Sequence, residues 1–164
     1  MQKLIIALCL AVGVGIALAQ PSAAKRSTGG ANLHQIEKSG IRGRIQFIDN
    51  GDAESGLEVR GTDTGLDPTV FYISLVYDSG AKPSGPSACA PSTPGALSGA
   101  QMFVGAWQVD AEGNGTLNAL KTGPTYVALR KIGAMSIRDG VTRALLACGK
   151  ATPADESARS CRRR

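Results

Sequence analysis

A chain of 164 residues with 21 glycines and few aromatic residues suits a turn-rich β protein and excludes a helical bundle, whose helices tolerate glycine poorly. Its length is that of one domain with a single core. The formal charge of +5 is partly concentrated in the last residues, Arg159 and Arg162-Arg163-Arg164.

Lys3, the apolar run from Leu4 to Leu18 and the small-x-small site Ala17-Leu18-Ala19 predict a cleaved signal peptide over residues 1–19. The run falls short of the roughly 20 apolar residues that span a bilayer. Cys9 follows Leu8, where a lipidated cysteine needs a small residue. The mature chain is therefore expected to be secreted or periplasmic, in an oxidising compartment where disulfides persist. Three cysteines remain, Cys89, Cys148 and Cys161, so two can pair and one is left over.

Residues 20–40 are rich in Ser, Ala, Gly and Lys without periodicity and read as a mobile leader. His34, the only histidine, falls there with no partner nearby to complete a site. Ile41–Phe47 and Leu57–Gly61 alternate apolar or small residues with polar ones, and Asp49-Asn50-Gly51-Asp52 between them signals the turn of a hairpin. A second turn over Thr62–Pro68 leads into the central strand Val70–Tyr77. Phe71, Ile73, Leu75 and Tyr77 form one of its faces and Val70, Tyr72, Ser74 and Val76 the other, so it is expected to be covered on both sides. Lys82–Gly99 carries four prolines and reads as a loop holding Cys89. Phe103–Asp110, with Phe103, Gly105, Trp107 and Val109 on one face, turns at 111–115 and returns over Thr116–Leu120 as a second hairpin. Asn114-Gly115-Thr116 fits a glycosylation acceptor and reads as a plain turn. Tyr126–Ile132 and Ala134–Ile137 are strand candidates, Asp139-Gly140 turns, and Arg143–Cys148 is the last strand. Residues 152–164 form a solvated basic tail with at most weak contact to anionic surfaces. Short alternating strands with frequent turns predict an all-β antiparallel sandwich or barrel.

Gly65-Leu66-Asp67-Pro68 ahead of Ile73 and Leu75, Cys89 in the following loop, the Asp110-x-x-Gly113 hairpin and Leu146-Ala147-Cys148-Gly149 occur in this order at fitting spacings. Together they resemble the copper/zinc superoxide dismutase family over roughly Ile41–Ala151. The resemblance implies a Greek-key, immunoglobulin-like sandwich or barrel across residues 41–151, with a disulfide between Cys89 and Cys148. Closing that loop stabilises the fold by about 4 kcal/mol on the chain-entropy model. The family's copper-ligand places in the central strand are taken by Ser74 and Val76, and the place of its last copper histidine by Asp139 or Arg138. Ala90–Ala100 contains no His, Asp, Glu or Cys to hold zinc. The family's charged guiding loop is reduced to Gly140-Val141-Thr142, and Arg143 lies two positions from the anion-binding arginine, so it inherits no role.

No catalytic, metal-ligating or cofactor-binding residue is thus expected, and no cofactor. Ser-His-Asp catalysis is closed to a chain whose one histidine lies in the leader. Cys161 has two readings, a free thiol in the tail or a cross-link joining two chains as a homodimer. The expected role is that of an exported non-catalytic domain, binding or structural, toward a protein or surface partner that the sequence does not identify. The alternative is a metal-dependent superoxide dismutase or other antioxidant enzyme with a non-standard site. Asp78, Asp110 and Asp139 are its candidate oxygen ligands, a set suited to a hard cation without redox use. A third reading makes the basic tail an adhesin for anionic surfaces.

Overall fold

The computed structural model describes residues 25–78, 88–89 and 97–154. The expected signal segment 1–19, most of the loop 82–99, and Cys161 with the arginines of the tail lie outside them. The described residues form strands β1 (Ser27–Gln35), β2 (Arg42–Asp49), β3 (Leu57–Thr64), β4 (Tyr72–Asp78), β5 (Phe103–Ala106), β6 (Gln108–Val109), β7 (Asn114–Lys121), β8 (Ile132–Asp139) and β9 (Leu145–Pro153), with one helical turn, α1 (Gly99–Met102). The all-β, antiparallel expectation holds.

β2 and β3 form the predicted hairpin, with Ile45 opposite Gly61 and Phe47 opposite Val59. Its loop is tied by the Asp52 carboxylate, which accepts from the Glu54 and Ser55 amides at 2.9 and 2.7 Å. β3 runs on to Thr64, three residues into the expected turn, and the chain reverses at Gly65, whose φ of 83° an L-residue rarely adopts. β4 is buried on both faces as predicted, but Phe71 precedes the strand and is 53% exposed instead of sharing a face with Ile73.

The leader is not a leader from Ser27 onward. Ser27–Gln35 is β1, paired on one side with β2 and on the other with β9, so it sits in the middle of the sheet. Its composition has weak strand preference, and the pairing of both neighbours overrides it. Gly29 and Gly30 are required there by close packing: a Cβ would lie 2.9 Å from the Thr152 carbonyl oxygen in one case and from the Ile45 carbonyl oxygen in the other. The folded region thus begins before residue 41, and β9 carries it past 151 to Pro153, inside the expected tail.

Phe103–Asp110 is not one strand. It breaks at Trp107, whose backbone amide donates to the Tyr72 carbonyl at 3.0 Å. β5 pairs with β4, whereas β6 pairs with β7, so only the second half makes the predicted hairpin. The alternation inverts with it: Val104 is buried and Phe103 is 46% exposed. This break shapes the molecule. The strand order is β5-β4-β8-β9-β1-β2-β3-β7-β6, and its two ends, β5 and β6, are consecutive in the chain. Joining them through one residue curls the nine strands into a nearly closed barrel.

Tyr126–Ile132 is likewise not a strand but two short 3₁₀ turns, Gly123–Thr125 and Leu129–Lys131, before β8 starts at Ile132. Pro124 removes a ladder donor, and the buried Asp49 carboxylate accepts from the Tyr126 hydroxyl at 2.9 Å and the Leu129 amide at 2.8 Å. The segment is bonded to β2 by a side chain and closes one end of the core with Val127 and Leu129. That core is built on Ile45, Phe47, Leu57, Leu117, Met135 and Ile137, all facing the barrel interior and at most 1% exposed.

Candidate functional site

The Cys89–Cys148 bridge is present, with Cα atoms 6.0 Å apart across a sequence separation of 59. It pins the loop after β4 to β9 and belongs to a small satellite core with Tyr77, Ala88 and Ala134.

Of the residues that the resemblance sets at the copper places, Ser74 and Val76 face the barrel interior, opposite Ile137 and Met135, and Arg138 faces the other side of the sheet, toward the bridge. Ser74 and Val76 alternate along β4 with no exposed surface. Val76 offers no donor atom, and the Ser74 hydroxyl accepts the indole Nε1–H of Trp107 at 2.8 Å. Arg138 of β8 is 3% exposed. Its Nε donates to the Tyr77 hydroxyl at 3.0 Å, one terminal nitrogen donates to the Arg143 carbonyl at 2.7 Å, and the other to the Cys89 carbonyl. Tyr77 in turn shares a 3.0 Å hydrogen bond with the fully buried Ser136 hydroxyl. The result is a polar cluster of serine, tyrosine and guanidinium bonded to the disulfide loop and to the β8–β9 turn.

This donor set does not fit copper or zinc. Both ions are held by imidazole, thiolate or carboxylate, and here the half-cystines are spent on each other. The guanidinium is a permanent cation that repels a second one. Among the described residues no three His, Cys, Asp or Glu side chains come together as a metal cluster.

The candidate oxygen ligands are dispersed. Asp139 lies opposite Tyr72 at one end of β4 and Asp78 is at its other end, about 20 Å away along the strand. Asp110 closes the β6–β7 turn. The Asn114 side chain and amide, at 2.9 and 2.7 Å, hold its carboxyl below the usual range. Asp139 does the same for its own turn through the Thr142 and Val141 amides, both at 2.8 Å. Asp110 and Asp139 are thus turn-forming carboxylates. His34, expected to be incidental in a leader, stands exposed on β1 opposite Cys148.

Two buried charges escaped the sequence reading. Lys121, at the end of β7, donates to the Phe103 and Ala100 carbonyls, the latter at 3.4 Å, and bonds β7 to α1 and β5 across the barrel seam; burial pushes its ammonium pKa down. Asp63 points into the barrel between Gly43 and Gly115 on the flanking strands, 3% exposed, with neither oxygen hydrogen-bonded. Burial raises its pKa to about 6, and the nearby amides of Thr64 and Arg42, not aligned to bond, offset only part of this. The signal that could have found Asp63 is its place in the alternation of β3, in step with Leu57 and Val59.

On the outer face, β9, β1 and β2 form the floor of a groove of about 1110 Å³ lined among others by Asn32, His34, Arg44, Gln46, Lys150 and Thr152. No family model matches the sequence, and no curated protein matches it.

Proposed function

We propose that the chain is an exported non-catalytic binding module built on the Greek-key barrel of the copper/zinc superoxide dismutases, with the metal cage replaced by uncharged packing and a buried guanidinium. The observation that carries it is the filling of the ligand places: Ser74 bonded to Trp107, Val76 without a donor, and Arg138 in three hydrogen bonds. Supporting the Greek-key part, the chain leaves β3 for β4 on the far side of the order and returns through β6 and β7 to lie beside β3. Supporting export, the disulfide suits an oxidising compartment, as the signal-like first 19 residues do. The partner meets the outer surface of the barrel.

The test is superoxide consumption by the purified protein incubated with copper and zinc and then freed of unbound metal. The reading predicts a rate no greater than that of buffer passed through the same steps. Turnover that remains with the protein would establish the alternative, a metal-dependent antioxidant enzyme.

A further inference from the structure

The outward side chains of β9, β1, β2 and β3 follow directly from the strand registers. Asn32 of β1 faces Arg44 of β2, which faces Thr62 of β3. Ala31 pairs with Ala151, so Lys150 of β9 lies on the other side of Asn32 from Arg44. The two cations stand two strand spacings apart, about 10 Å, as opposite walls of the groove, with Asn32 and the side-chain-free Gly30 between them. Arg42 is on the same side of β2, about 7 Å further along the strand. Arg42, Arg44 and Lys150 are all exposed, and none has a carboxylate partner among the described residues. Arg60 on β3 is the one cation of this face with a partner, Glu58 at 2.8 Å.

Between the cations the face carries amides and hydroxyls (Asn32, Gln46, Thr62, Thr64), and among the described residues its one aromatic ring is the imidazole of His34 at the end of the groove, which gives a single platform and no run of them. Among the described residues the one large exposed apolar side chain near it, Leu120, is at its far corner on β7. Base-stacking recognition of single-stranded nucleic acid needs aromatic platforms, and insertion at a lipid surface needs an apolar face. A polymer whose negative charges alternate with hydroxyl groups needs neither.

We propose that this face binds a linear anionic polysaccharide, laid along the groove so that its acidic groups reach Arg44, Lys150 and Arg42 and its hydroxyls reach the intervening amides and hydroxyls. The site is on the folded barrel and is distinct from the arginine-rich tail. It rests on the reading of the chain as a binding module, while its failure would leave the superoxide result untouched.

The experiment measures binding of a heparin oligosaccharide to the full chain at moderate salt, with dextran, a duplex DNA of equal charge and phosphatidylglycerol-containing vesicles as comparators. Replacing Arg42, Arg44 and Lys150 together by Gln is expected to weaken heparin binding about thirtyfold with an unchanged melting temperature, since all three are exposed. Thr152→Glu, which adds a negative charge to the same groove, weakens it independently. Neutralising Arg159, Arg162, Arg163 and Arg164 changes it less than about threefold, and added salt weakens the native interaction. A triple-variant loss smaller than about tenfold, a loss carried mainly by the tail, or DNA or vesicles bound as tightly as heparin would each overturn the proposal.

Discussion

Asp63 and Arg138 are both charged and both buried, and they differ in what surrounds the charge. Arg138 spreads its hydrogen-bonding groups over the Tyr77 hydroxyl and two main-chain carbonyls, so its burial is compensated. Replacing it by Leu leaves those acceptors buried and unpaired. We expect Arg138→Leu to lower the unfolding free energy by about 3 kcal/mol in urea titration, and a result within experimental error of the native protein would contradict the cluster. Asp63 has no such partners, and its pKa rises from 3.8 to about 6. Below the lower value both folded and unfolded forms are protonated. As pH rises toward about 6, the unfolded form ionises first, so the stability that neutral Asp63 allows is present in acid and lost through that interval. Asp52, Asp67, Asp110 and Asp139 have depressed pKa values and act oppositely, losing their contribution only as pH falls below 3.8. The windows do not overlap. Asp63→Asn should therefore raise the melting temperature near neutral pH and make little difference near pH 4; an equal effect at both would show that charge is not the cause.

At the scale of elements, the bridge between Cys89 and Cys148 ties β9 to the chain after β4, which Arg138 of β8 also holds through the Cys89 carbonyl. Removing it by Cys89→Ser and Cys148→Ser should cost about 4 kcal/mol for the separation of 59 residues, read from denaturant midpoints, and the reduced native protein should match the double variant. Strands that carry their own hydrophobic period were legible: β2, β3, β4, β7 and β8 were placed within a few residues. β1 was not, because its two glycines answer to the carbonyls of β9 and β2, which no local pattern records. The 3₁₀ turns over 123–131 looked like a strand because Tyr126, Val127 and Leu129 are apolar for the sake of the core, while their backbone is held by a carboxylate more than seventy residues away. The break at Trp107 was hidden for the same reason: a period of two continues through it although the strand changes partner. Of the candidate site, the disulfide was legible through a resemblance and the absence of ligands through residue identity. The Arg138 cluster was not, since nothing in the sequence near residue 138 points to the Cys89 carbonyl.

The described residues form a nearly closed barrel whose interior holds packed apolar side chains and the unpartnered Asp63 carboxyl. The Arg138 cluster lies on the other side of β4 and β8 beside the Cys89–Cys148 bridge, and the exposed Arg42, Arg44 and Lys150 lie on the outer face of β9, β1 and β2. The residues that the resemblance sets at the copper places, Ser74, Val76 and Arg138, are hydrogen-bonded or apolar, have almost no exposed surface and do not converge, since Ser74 and Val76 face the interior and Arg138 the other side of the sheet. The proposed function therefore sets recognition on the outer face and no redox metal at these residues. Elemental analysis for copper, zinc, manganese and iron on protein purified from its native compartment without chelators tests this most directly. The account predicts that every one of these metals is far below one equivalent per chain. One equivalent of copper retained through gel filtration would contradict it.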